Sequence, residues 1–283
     1  MPESCWAQDV QLQLAITPSP TPAQVLMANN SHLSLVGKTA VVTGASSGIG
    51  RAIALELATE GAACIVHAGS NRQGADEVAA TINSRGGKAT VVIFDLSEPG
   101  RLTALVDDLW NTQPIDIWIN NAGADVLTGP ASKWSFEQKL DRLWKVDVAG
   151  TVLLSRLVGD KMKARGSGVI INVGWDQAES GMAGDSGELF SATKGAVMAF
   201  TRSLAQSLSP QVRVNCVAPG WIKTEWGEGA SQYWHDRARR ESLMDRWGSP
   251  EDVAHVVHFL AADAASFISG HIIPVNGGFR HPS

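Results

Sequence analysis

The sequence predicts an α/β fold: one doubly wound parallel sheet of about seven strands, with helices on both faces. Three observations carry this. Short apolar, β-branched runs recur along the chain from Leu35 onward. Stretches with helical periodicity separate most of them. The first run leads straight into a glycine-rich turn that opens a helix.

The strand candidates, in order, are TAVVTG (39–44), ACIVHA (63–68), ATVVIF (89–94), IDIWIN (115–120), GVIINVG (168–174), VRVNCVA (212–218) and HIIPVNG (271–277). Each is short and apolar on both faces, as a strand buried between two helical layers must be. GRAIALELATEG (50–61) and GADEVAATINSRGG (74–87) show the amphipathic spacing of covering helices. Residues 1–32 stand apart: TPSPTP and ANNSH favour loops, so this stretch reads as an N-terminal extension to a single domain of residues 33–283.

Composition excludes several function classes. The 283 residues are 44% hydrophobic, enough for one large core, and carry a formal net charge of −5. No long Lys/Arg run is present, which argues against a nucleic-acid groove. No apolar run reaches about 18 residues, so no membrane span is expected. The three cysteines, Cys5, Cys64 and Cys216, are scattered and odd in number. They form neither a disulfide framework nor a metal cluster, and His255 and His258 complete no zinc pattern; no metal is expected. A reducing compartment follows, and with no secretory signal at the start a cytoplasmic location is expected.

The turn after the first strand reads TGASSGIG, from Thr43 through Gly44, Ser46, Ser47, Gly48 and Ile49 to Gly50. Spaced glycines between a strand and a helix let backbone approach a pyrophosphate at the helix N-terminus. This TGxxxGIG pattern resembles the short-chain dehydrogenase/reductase family, in particular its 3-oxoacyl-[acyl-carrier-protein] reductase members. The likeness runs along nearly all of the chain after residue 35. Asn120, Asn121, Ala122 and Gly123 end the fourth strand; Pro219 and Gly220, then Ile222 and Thr224, follow the sixth. RWGSPEDVA (246–254) and ISGHIIPVNGG (268–278) look like its C-terminal signatures. The resemblance implies a Rossmann-like fold, a nicotinamide cofactor, a small-molecule substrate and a homodimer or homotetramer. It also implies that Asp95 and Leu96 meet the adenine, and that Pro219, Gly220, Ile222 and Thr224 meet the nicotinamide end.

In Rossmann-type sites an acid near the end of the second strand binds the 2′-hydroxyl of NAD. Here that position falls on Ala68, followed by Ser70, Asn71 and Arg72. No carboxylate repels a 2′-phosphate, and Arg suits one well. NADP(H) is therefore favoured over NAD(H).

The family resemblance implies a Ser, a Tyr and a Lys in the active site, with an Asn on the preceding helix. Only Lys194 of the four is present. Phe190 takes the Tyr position, Trp175 the Ser position and Asp147 the Asn position. Tyr233 is the one tyrosine in the chain, so no neighbour replaces the lost hydroxyl. The 175–190 spacing is also longer than the family usually shows. The segment 174–190 carries Asp176, Glu179, Asp185 and Glu188, and Asp147 adds a further acid. A carboxyl desolvated against Trp175 or Phe190 is a candidate substitute acid; Asp176, directly after the Ser position, is preferred. Trp175, Trp221 and Trp226 are expected to line or block the pocket.

Three readings stay open on this evidence: an NADP(H)-dependent oxidoreductase with an atypical site built on Lys194 and an acidic residue, a nucleotide-binding sensor without turnover, and a structural subunit of a related oligomer.

Overall fold

Alternation along each strand explains why the apolar runs had to be buried on both faces. In β1 (Thr39–Val42), Ala40 and Val42 enter one core while Val41 enters the other. The remaining strands are β2 (Ala63–Ala68), β3 (Lys88–Ile93), β4 (Ile117–Asn120), β5 (Gly168–Val173), β6 (Val212–Pro219) and β7 (Ile272–Val275). They form one parallel sheet in the order β3-β2-β1-β4-β5-β6-β7. The computed structural model describes residues 33–280, apart from the side chain of Trp226. The expected extension at 1–32 lies outside the described residues.

One face is covered by α1 (Gly48–Thr59), α2 (Arg72–Ser84) and, further along the chain, Pro250–Ala261. The other carries α3 (Leu102–Thr112), then, beyond α4 (Phe136–Leu143), α5 (Thr151–Arg165) and α6 (Asp185–Leu208). Two short helices, α7 (Glu225–Glu228) and α8 (Gln232–Glu241), precede the Pro250–Ala261 helix, which is α9. The seven expected strands are all present, several of them trimmed at their ends. Thr43 and Gly44 belong to the turn, because a φ of +63° at Gly44 cannot continue a strand. β3 and β7 are not buried on both faces: as sheet edges they keep exposed positions. Among the described residues no helix is long and apolar enough to cross a membrane. Cys64 and Cys216 are buried free thiols, and burial pushes both up to about 12.

Between α4 and α5 the chain widens into a π-helical segment, Trp144–Gly150. Such a segment shifts the helical phase locally and often marks a functional site. Here it carries Asp147, only 1% exposed, to the open end of the sheet.

A buried polar network ties this end together. Trp118 Nε1 donates to Asn120 Oδ1, and Asn120 Nδ2 donates to Ser155 Oγ and Asn172 Oδ1. Asn172 Nδ2 then donates to Thr201 Oγ1, whose own proton goes to Val197 O. The chain of bonds links β4, β5, α5 and α6, and a satisfied network of this kind fixes how its elements dock. Asn172→Ala leaves an Asn120 proton and the Thr201 oxygen short of a partner in a dry site. It should lower unfolding free energy by about 2 kcal/mol in urea titration; a loss under about 0.5 kcal/mol would mean the network adds nothing.

Candidate active site

Strand order reverses between β1 and β4, and in doubly wound sheets the crevice outside the strands' carboxyl ends opens at that point. A groove of about 980 Å³ lies there. One wall is the glycine-rich turn: Gly44, Ser46, Ser47, Gly48, Ile49 and Gly50 all line it. A Cβ on Gly50 would fall 2.2 Å from Gly44 O and 2.4 Å from Asn121 Nδ2, so only glycine lets α1 start this close to the turn. Thr43 Oγ1 accepts from the backbone N–H of both Asn121 and Ala122 and donates to Ile119 O. Asn121 Nδ2 donates back to Thr43 O and Gly44 O. The NNAG segment thus braces the turn. Ser47, the N-cap of α1, makes no side-chain cap bond, which leaves the first amides of α1 facing the groove for an anion. This donor set fits a dinucleotide pyrophosphate.

At the end of the groove beside β2 and β3 stand Ser70, Asn71, Asp95 and Leu96, as expected. The Asn71 side chain is already engaged, accepting from Gly74 N as the N-cap of α2. Burial works against the charge of Asp95, but hydrogen bonds from Ser97 and the Arg142 guanidinium 3.6 Å away outweigh it and hold the carboxyl below its ordinary range. Arg72 departs from expectation: it is exposed, and as the first residue of α2 it is not part of the groove wall.

At the opposite end, Asn121, Ala122 and Gly123 line the groove together with Asp147, Phe190 and Lys194. Phe190 and Lys194 are one helical turn apart on α6 and share a face. Phe190 packs against an apolar cluster of Val126, Leu143 and Leu189, and the Trp175 ring meets it edge-on at 6.2 Å. Lys194 Nζ lies 2.9 Å from Asp147 Oδ2, while Asp147 Oδ1 accepts from Ala124 N at 2.8 Å. The carboxylate is fully partnered and the ammonium is only 13% exposed.

Two expectations about the acidic loop are corrected. Asp176 does not line this groove, and neither does Trp175. Asp176 opens instead on a separate pocket of about 210 Å³ with Glu179, Arg202 and His271. Its Oδ2 accepts from Asn276 Nδ2 at 3.0 Å. Trp175 is extended, and at Asp176 the chain turns into a short 3₁₀ segment (Asp176–Ala178), with the carboxyl held by Asn276 rather than aimed at the groove. Pro219, Gly220 and Ile222 are also off the wall. Pro219 ends β6, Ile222 is buried in the α1–α9 core, and Gly220 sits where a Cβ would fall 2.9 Å from Asp176 Oδ2. Thr224 does line the groove. The tryptophan expectation fails at Trp221, which packs against Trp234 at 5.5 Å and Trp247 at 6.0 Å with Arg237 over its ring. Trp134 contributes the indole of the groove instead.

Sequence reasoning missed His67, Asp125, Thr128, Trp134, Arg142 and Glu225 on the wall. His67 was legible as the penultimate residue of β2; the others come from loops and helices whose approach no local pattern encodes. Outside the groove, Glu56, Glu60 and His258 bring ligand atoms within 4.8 Å of one another, but His258 already bridges the two carboxylates at 3.3 and 3.4 Å.

Fold and groove together define a dinucleotide-binding protein of the doubly wound class. A family model described as enoyl-(acyl carrier protein) reductase matches residues 44–280. A short-chain type dehydrogenase/reductase of Picea abies is 36% identical over 253 residues, covering 86% of this chain and 93% of the relative. Among solved structures, a 3-oxoacyl (acyl-carrier-protein) reductase from Agrobacterium tumefaciens C58 with NADP bound superposes with a TM-score of 0.79 at 31% identity, covering 88% of this chain and 96% of that one. A 7α-hydroxysteroid dehydrogenase complexed with NADH and 7-oxo glycochenodeoxycholic acid gives a TM-score of 0.79 at 30% identity, over 88% and 97%. The chain belongs to the short-chain dehydrogenase/reductase family of oxidoreductases.

The Asp176 pocket yields a pH prediction. Burial raises this carboxyl to about 6, against the opposing Asn276 hydrogen bond and with help from the Glu241 charge. The native state therefore holds a proton that the unfolded chain releases near 3.8, so stability falls as pH rises from about 4 to 6. Asp176→Asn should unfold at higher urea than wild type at pH 7.5, by about 1–2 kcal/mol, and lose that advantage near pH 4. An equal advantage at both pH values would show that the carboxylate charge is not the cause.

Proposed function

We propose that this chain is an NADP(H)-binding oxidoreductase of small carbonyl or alcohol substrates whose active site works without the family's tyrosine and serine. The observation that carries the reading is the Lys194–Asp147 pair beside Phe190. The groove keeps its phosphate-binding turn, and at its reacting end it presents an ammonium anchored by a buried carboxylate and a phenyl ring where a hydroxyl would stand.

Bound cofactor supplies hydride chemistry; the chain's own residues supply position and charge. The first amides of α1 receive the pyrophosphate. Ser70, with no carboxylate near it on β2, accommodates a 2′-phosphate, and Arg72 reaches it only by swinging in from the rim. The Agrobacterium reductase with NADP bound supports this preference. As a substrate carbonyl is reduced, negative charge develops on its oxygen. The Lys194 ammonium donates a hydrogen bond to that oxygen and then a proton, which solvent restores; Asp147 orients the ammonium. Phe190 excludes water but transfers no proton, so turnover is slow against a member with a tyrosine, where such a group contributes about 10²–10⁴ in rate.

A second reading, a nucleotide-binding subunit or sensor without turnover, is favoured by Phe190, which presents an apolar ring, backed by Trp175, at the reacting end. Assembly as a homodimer or homotetramer is part of the proposal, supported by the half-exposed Trp144 and by Leu153 at the head of α5. Light scattering at working concentration tests it.

Fluorescence titration should show NADPH binding more tightly than NADH, and Arg72→Ala should narrow the difference. Equal affinities in wild type would remove the 2′-phosphate assignment. In a carbonyl panel with NADPH, Lys194→Ala should cost about 10²-fold or more in kcat. Phe190→Tyr should raise kcat. Binding without turnover in wild type and in Phe190→Tyr alike would select the sensor reading.

A further inference from the structure

His67 is a buried titratable side chain to which the mechanism above gives no task. It is 3% exposed, yet it touches the groove wall. Its ring joins two strands' ends. Gly44 N–H, in the glycine-rich turn, points at His67 Nδ1 at 3.3 Å. His67 Nε2 lies 2.9 Å from the carbonyl oxygen of Phe94, at the end of β3. The His67 backbone carbonyl accepts from Ala45 N at 2.8 Å. Backbone and side chain of one residue therefore hold two consecutive amides of the turn.

These contacts settle the tautomer. Phe94 O can only accept, so Nε2 carries the proton; Gly44 N can only donate, so Nδ1 is the bare nitrogen. A doubly protonated ring would set an N–H against the Gly44 N–H.

We propose that the neutral, Nε2-protonated imidazole of His67 is a positioning residue for the dinucleotide, holding Gly44 in the conformation that receives the pyrophosphate. Protonation of the ring releases that hold and weakens binding. This rests on the reading of the groove as the nucleotide site. The surroundings favour the neutral form: burial among Val41, Ile65, Val92 and Leu96 pushes the ring below its ordinary value of 6.5, and the Phe94 carbonyl and the Asp95 charge only partly offset this. Asp95 is itself balanced by Arg142, and Arg101 lies over the Phe94 ring, its guanidinium carbon 5.4 Å from the ring centre. The β1 turn presents no charge of its own to the ring. Because the unfolded or released ring titrates near 6.5 and the native ring below it, the hold is complete above about 6.5 and is lost as pH falls further.

The test is equilibrium binding of NADH and NADPH, followed by fluorescence from pH 5.5 to 8 in wild type, His67→Asn and His67→Leu. NADH has no 2′-phosphate, so its profile is free of that group's titration. Asparagine places an amide oxygen near the Nδ1 position and does not titrate. Wild-type affinity for NADH should fall progressively as pH drops below 6.5, by about five- to tenfold once the ring is protonated, the equivalent of one lost hydrogen bond. His67→Asn should stay level within about twofold, and His67→Leu should be about fivefold weaker at every pH. Parallel profiles for wild type and His67→Asn would overturn the proposal, as would a shift in thermal stability with dissociation constants unchanged. If His67→Leu does not fold, the wild-type and asparagine profiles still decide. Failure of wild type to bind either nucleotide at pH 7.5 would overturn the nucleotide groove itself and this role with it.

Discussion

Everything at the open end of the sheet depends on how closely α1 approaches the turn after β1. The two can meet only because Gly50 has no side chain: its Cβ would overlap Gly44 O. Gly44 in turn runs at φ +63° against Ala122, whose Cα would lie 2.7 Å from a Cβ there. Around this contact Thr43, Asn121 and His67 supply hydrogen bonds from three different strands' ends. The backbone conformation is costly for any other residue type, and it persists because the neighbours over-determine it. The outcome is a set of backbone donors facing a common space, which is what a phosphate ester requires.

The reacting end is organised by charge rather than by backbone. Asp147 is nearly without solvent contact, and such a carboxylate is tolerable only with partners for both oxygens. Ala124 N and Lys194 Nζ provide them. Asp147 stands within the π-helical segment, which shifts the helical phase locally between α4 and α5, and from there it meets Lys194. The pairing couples three elements, the loop after β4, the π segment and α6. The same α6 is tied through Thr201 to Asn172 and β5. Position of the ammonium is thus inherited from the sheet itself.

The rings at positions 175 and 190 have a consistent packing outcome. Phe190 fills space among Val126, Leu143 and Leu189, and Trp175 closes against its edge. Aromatic pairs of this geometry contribute about 0.5–1.5 kcal/mol beyond area burial. Both rings are therefore well accommodated where they stand. The polar groups that remain facing the groove, Lys194 above all, are the ones whose chemistry the proposed activity uses.

The amino-acid sequence by itself determined the layers, the strand count and the turn. Short runs apolar on both faces, separated by helical stretches, admit few other solutions, and TGASSGIG between a strand and a helix is a local signal carried by backbone conformation. It also determined the residue types at positions 190 and 175, a phenylalanine and a tryptophan, since identity needs no geometry. Only the tertiary structure decided where side chains point. Asp176 adjoins a site position yet faces another pocket, because the chain turns into a 3₁₀ segment there and Asn276 holds the carboxyl. Arg72 stands at the rim, because the start of α2 turns it outward. Asp147 pairs with Lys194, and His67 clamps Gly44, across separations of 47 and 23 residues. No pattern within a short window encodes such contacts; they exist only once the sheet has brought the ends of distant strands and helices together.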